Sequence, residues 1–95
     1  MESLYATYFK DDKTSAEAKG ECWWPCKIGY SNNPPKRTRC LNTGTYKRLE
    51  LGLTYETANG LVLESFVHGK LREKRIGDGG DEWFLTNPFL TLFSL

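Results

Sequence analysis

The stretch from Cys26 to Arg37 constrains this chain most. Cys26-Lys27-Ile28-Gly29-Tyr30 reads as a buried strand, and Asn33-Pro34-Pro35-Lys36-Arg37 opens a helix. Asn33 is a good N-cap and Pro34 suits the first helical position. A residue before proline is kept out of the α region, where an N-cap belongs. Gly29 inside the strand signals close backbone approach or open space over the sheet. The helix should run from Pro34 to about Asn42 and stop near Gly44. The rest of the sequence reads as what holds this segment in place and supplies its missing partner groups.

Before it, Leu4 to Phe9 is made of strand formers. Lys10 to Gly20 is polar and reads as a loop or mobile excursion. Trp23-Trp24-Pro25 suits an exposed strand end or a small aromatic cluster, not a central strand. After it, Leu49 to Glu56 alternates with period 2 and is the clearest strand. Leu49, Leu51, Leu53 and Tyr55 share one face. Thr57 reads as the cap of a second helix, about Ala58 to Lys74. That helix is apolar on two sides, which predicts packing on two sides. Gly77 to Gly80 is a turn, and Asp81 to Thr86 a short strand or edge. Asn87-Pro88 opens a short C-terminal helix, residues 88–95, expected to dock on the domain. The order predicts an α+β fold, a small central antiparallel sheet of about three strands flanked by helices.

A chain of 95 residues allows one domain, 1–95, with a real but thin core. A net charge of +1 argues neither for nor against nucleic acid. The local charge is uneven, with Lys36, Arg37, Arg39, Lys47 and Arg48 in one cluster and Lys70, Arg72, Lys74 and Arg75 in another. These are solvated faces or phosphate contacts. Three cysteines, no signal-like start and no long apolar run point to a cytoplasmic chain with reduced thiols.

Two charges sit where the pattern calls for apolar residues. Arg37 shares a helical face with Cys40 and Leu41, and Glu64 lies in the stripe of Gly60, Leu63, Val67 and Leu71. Both should lean toward the sheet, where an unpaired charge is costly. Either they pair with each other, or they line a concave site. There an arginine fork would grip phosphate and a carboxylate would hold a hard cation. His68 follows Glu64 by one helical turn, as a structural histidine or a proton shuttle. Cys22, Cys26 and Cys40 with His68 could form a zinc site, but the Cys-x3-Cys gap is loose and zinc is not expected.

Taken together, these residues resemble the GIY-YIG endonuclease superfamily, in the phage and bacterial branch whose second tripeptide reads Lys-Ile-Gly. The matching pieces are Lys27-Ile28-Gly29-Tyr30-Ser31, Asn33-Pro34, Lys36-Arg37, Leu41-Asn42, the strand Leu49 to Thr57, Leu63-Glu64 with Val67-His68, Arg75, and Glu82-Trp83-Phe84. The resemblance implies a catalytic tyrosine at Tyr5, in Ser3-Leu4-Tyr5, with Tyr8 as the alternative. It puts Lys27 where the family keeps its second tyrosine, and it gives the arginine role to Arg37 and the metal role to Glu64.

The implied activity is hydrolysis of a DNA phosphodiester with one Mg2+ or Mn2+ ion. Arg37 would hold a nonbridging oxygen. Tyr5 would be the general base, its high phenol pKa lowered by Lys27 nearby, or Lys27 would itself be the base. His68 would shuttle the proton or orient water. Lys36, Arg39, Lys47, Arg72, Lys74 and Arg75 would contact the DNA backbone. Trp23 and Trp24 form a structural cluster or stack on splayed bases. The DNA partner is single-stranded, branched or duplex, and no membrane is involved. A second copy of the chain or a protein partner is left open. The alternative is an inactive module of the same shape that binds nucleic acid or a protein, for example a phage inhibitor of a host factor. A third reading is a zinc-stabilised structural module.

Overall fold

The computed structural model describes residues 2–42, 48–76 and 83–93, the last three by backbone alone. The first strand, β1, spans Glu2–Phe9. Helix α1 is Lys10–Ala18, β2 is Trp24–Ser31, α2 is Pro34–Leu41 and β3 is Leu49–Thr57. Helix α3 is Gly60–Lys70, followed by a 3-10 turn at Arg72–Lys74, then β4 at Trp83–Thr86 and α4 at Pro88–Phe93. The sheet has four strands in the order β3-β1-β2-β4, all antiparallel to their neighbours. The α+β class is as expected; the fourth strand is the short Trp83–Thr86 edge. Lys47, Gly44, the glycine turn at 77–80, Asp81 and Glu82 lie outside the described residues.

Strand β1 is central and is buried from Ser3 to Tyr8, so both of its faces are covered. Leu4 and Ala6 look to one side, with Ile28, Phe84, Val67 and Leu71, and Leu53 and Leu63 pack against them. This is the α3 side. Tyr8, Cys26, Trp24 and Ala16 continue the same face toward α1. Phe89 of α4 joins there, edge to face with Tyr8 at 6.4 Å. The opposite face carries Ser3, Tyr5 and Thr7, all buried. Helix α2 crosses between the mutually parallel strands β2 and β3, touches β1, β2 and β3, and takes this second face. Each fully buried apolar side chain contributes about 1.5–3 kcal/mol, so the Leu4–Ile28–Phe84 cluster is the main cohesive element.

Several expectations need correction. Lys10 to Ala18 is a helix, not a loop. Two acidic residues, Asp11 and Asp12, sit in its first turn, where they favour the helix dipole. Lys13 and Glu17 pair one turn apart at 3.6 Å. Gly20, at φ +76°, then turns the chain. Trp24 and Pro25 belong to β2, a central strand. At that end, though, β2 pairs with β4 alone, because its pairing with β1 starts at Lys27. A proline is tolerated where one side of the strand is free.

The cap of α3 is Asn59, whose side chain accepts from the Val62 N–H at 3.3 Å. Thr57, the expected cap, accepts instead from the Asn59 N–H at 3.2 Å. The helix ends at Lys70 rather than Lys74. Its outer face is not packed on a second element, since Leu61, Val62 and Phe66 are exposed.

Candidate active site

The register fixes which side chains meet. Tyr5 pairs with Gly29, and its ring lies across that glycine. A Cβ on Gly29 would meet the Tyr5 hydroxyl at 2.8 Å, so the close approach requires glycine. Lys27 is two residues along β2, on the same face as Tyr5. Such diagonal neighbours lie about 7–8 Å apart, within reach of a lysine side chain. Tyr8, the other candidate tyrosine, is on the opposite face, between Trp24 and Phe89. Burial first, then the Glu50 charge, pushes its pKa above the ordinary phenol value. That makes Tyr8 a core residue and a poor base.

Glu64 and His68 approach from α3, on the face of Leu4 and Ile28. Their side chains are 13% and 24% exposed, and His68 Nδ1 lies 4.0 Å from Glu64 Oε1. His68 Nε2 sits 2.9 Å from the Ile28 carbonyl. A carbonyl only accepts, so Nε2 carries the proton and donates. In the neutral imidazole, Nδ1 then turns a lone pair toward the Glu64 carboxylate. The ring also lies against Phe84, centroids 5.1 Å apart. The start of α3 is pinned as well. Its Gly60 N–H donates to Glu2 Oε1 at 3.1 Å, and Gly60 has no room for a Cβ against the Tyr30 ring.

Tyr5 thus reaches Gly29 from one face while His68 holds the Ile28 carbonyl from the other. The Ile28–Gly29 peptide is their common point. It lies beyond Lys27, the last residue of β2 that pairs with β4 among the described residues.

Arg37 is not where the helical pattern put it. The inward residues of α2 are Pro34 and Thr38, with the Thr38 hydroxyl donating to the Pro34 carbonyl at 2.9 Å. Arg37 is exposed, and so is Cys40. Residues one apart on a helix differ by about 100°, so the Pro34–Thr38 stripe turns Arg37 outward. It makes no ion pair with Glu64, and its guanidinium, with Lys36 and Arg39, gives α2 a basic outer face. Arg72, Lys74 and Arg75 are exposed at the far end of α3. Trp24 is buried, so of the two tryptophans Trp23 alone is presented to solvent, at 49%.

Cys22 and Cys40 are exposed and Cys26 is buried, all as free thiols. Cys26 donates to the Trp24 carbonyl at 3.2 Å. Desolvation pushes its pKa up to about 12, so it is a packed thiol and not a thiolate ligand. Among the described residues no three His, Cys, Asp or Glu side chains gather as a metal cluster. No helix among them is long and apolar enough to cross a membrane.

The family model that matches is that of the T5orf172 domain, over residues 4–90. No curated protein and no solved structure matches the chain significantly. This corrects the GIY-YIG assignment, since the matching model is not of that superfamily. The roles which that resemblance lent to Tyr5, Lys27, Arg37 and Glu64 therefore lose its support. T5orf172 domains form a phage-associated, nuclease-like class that DNA binding fits. With almost its whole length matched, the chain belongs to the T5orf172 domain family.

Proposed function

We propose that this domain hydrolyses DNA phosphodiester bonds with one divalent cation, Mg2+ or Mn2+, at Glu64. The observation that carries the reading is the Glu64–His68 pair. A carboxylate oxygen of Glu64 and Nδ1 of His68 face each other at 4.0 Å in a half-buried place. Such a pair favours a proton or a cation between or beside its members. A single carboxylate suits a hard ion that keeps most of its waters. When bound, the ion would stabilise charge on the phosphate and the leaving oxygen.

The chain's own groups divide the remaining work. His68, its tautomer fixed by the Ile28 carbonyl, takes a proton from water at Nδ1. Tyr5 and Lys27 stand across Gly29 as the alternative base and the cation beside it. Tyr5 is only 2% exposed, so substrate water would have to reach its hydroxyl from the Gly29 side. Arg37, being exposed, can swing its fork onto a phosphate oxygen. Lys36, Arg39, Arg72 and Arg75 contact the backbone without reading sequence.

A second reading, DNA binding without cleavage, is favoured by one observation. Tyr5 and α3 lie against opposite faces of the sheet, which separates the proposed base from Glu64. Cleavage of supercoiled plasmid and single-stranded DNA, with Mg2+ or Mn2+, distinguishes the two. Wild type should cut, Glu64→Gln should fall to the level of buffer, and Arg37→Ala should lose about 100-fold. A wild type that binds DNA but cuts no substrate with either ion would leave the binding reading in its place.

A further inference from the structure

We propose that the cleft beside Trp23 binds one unpaired nucleobase and its flanking phosphate, making single-stranded DNA the ligand class of this domain. The inference rests on the nucleic-acid part of the function proposed above, and not on cleavage. The cleft has a volume of about 620 Å³ and is lined by Trp23, Glu73, Lys74, Arg75, Ile76 and Leu85. That volume lies within the usual range for small-molecule sites, about 300–1,000 Å³.

Its chemistry is divided by element. Successive residues alternate as the chain enters β2, so Trp24 turns into the core and Trp23 turns out. Trp23 is 49% exposed, an aromatic platform that packing has not used up. Leu85 (41%) and Ile76 (39%) give an apolar wall. Leu85 comes from β4, and the Ile76 N–H donates to the Trp83 carbonyl at 2.9 Å, so both walls are fixed to the sheet edge. Lys74 closes the 3-10 turn and Arg75 follows it, and among the described residues they bring cationic groups to the rim beside Glu73. A flat aromatic surface, a narrow apolar wall and a cationic rim match a base and its phosphate. A wholly apolar peptide would make no use of Lys74 at the rim.

The cleft also has a fixed relation to the Glu64–His68 pair. Phe84 is bridged to Arg75 on one side and lies against the His68 ring on the other. Side chains alternate along β4, so Leu85 points to the face opposite Phe84, and the cleft lies across the sheet from the Glu64–His68 pair. Duplex DNA keeps its bases stacked and would not enter.

The test is fluorescence anisotropy of a dye-labelled oligothymidylate and of a matched duplex, in EDTA to prevent cutting. Trp23→Ala should weaken single-strand binding by about 5- to 100-fold and leave duplex binding unchanged. Trp23→Phe, which keeps a ring, should restore most of the affinity, and this controls for damage to the fold. Lys74→Ala should flatten the salt dependence. Single-strand affinity unmoved by Trp23→Ala, or absent in the wild type, overturns the proposal. So does sedimentation showing a dimer that Trp23→Ala dissolves while single-strand affinity stays the same. Cleavage that persists beside a failed Trp23 effect would sink the cleft alone. Trp23-dependent binding without any cleavage would sustain the cleft and sink the nuclease.

Discussion

Gly29 is the residue on which the candidate site turns. Adding one methyl there would drive a Cβ to 2.8 Å from the Tyr5 hydroxyl, and Tyr5 is buried and cannot yield. Gly29→Ala should therefore cost about 1–3 kcal/mol by denaturant unfolding. Adding Tyr5→Phe should recover part of that loss, because the nearest atom is the hydroxyl oxygen. The sequence showed that Gly29 was unusual, since a glycine within a strand marks close approach. It did not show which side chain approaches, because that depends on the pairing of β1 with β2.

Cys26 gives a second test at this scale. Its pKa is raised by burial from 9.0 to about 12, so the folded state holds the proton more tightly than the unfolded chain. Its stabilising effect is then complete below pH 9.0 and is lost as pH rises toward about 12. Tyr8, also raised by burial, acts in the same direction. Thermal unfolding across the alkaline range should show this decline, and Cys26→Ala should make it shallower. An unchanged alkaline limb in that variant would mean the thiol is not held as the structure describes.

Among the elements, α3 carries the functional pair, and its phase depends on its cap. Asn59→Ala removes the acceptor of the Val62 N–H and should cost about 1 kcal/mol. For a domain of this size that is a fall in Tm of about 4–8 °C, readable by calorimetry. Thr57→Ala should cost less, since its hydroxyl accepts from the residue before the helix. Thr57 and Asn59 are both good cap types, so sequence alone could not choose between them. Helix α1 was missed for a different reason. It buries one residue, Ala16, and so leaves almost no hydrophobic period to read. Helix α2 was found at its start, where Asn33 and Pro34 act locally. Its phase was misjudged because it has few apolar residues to define an inner face, and Thr38, buried through its own hydrogen bond, does that work. The Leu49–Thr57 strand was legible from its alternating run, but its single apolar face was not borne out. A register shift sets Leu49 and Leu51 opposite Phe9 and Thr7, and Leu53 and Tyr55 opposite Ala6 and Leu4, on the other face.

At the scale of the whole molecule, the α+β class and the positions of Glu64 and His68 followed from helical spacing. The family did not. Short matches around Lys27-Ile28-Gly29 and Glu64 suggested one superfamily, and the match over residues 4–90 assigns another. What remains is physical. A glycine-dependent tyrosine contact on one face and a carboxylate–imidazole pair on the other meet at the Ile28–Gly29 peptide. Basic surfaces flank it on α2 and beyond α3. The proposed cleavage requires that Glu64 hold a divalent cation at this place. Mn2+ titrated into 15N-labelled protein tests it without the risk of a contaminating nuclease. Amide signals of Gly29, Glu64 and His68 should broaden first in wild type and stay sharp in Glu64→Gln at the same Mn2+ concentration. Equal broadening in both proteins, or broadening that starts elsewhere, would contradict the claim.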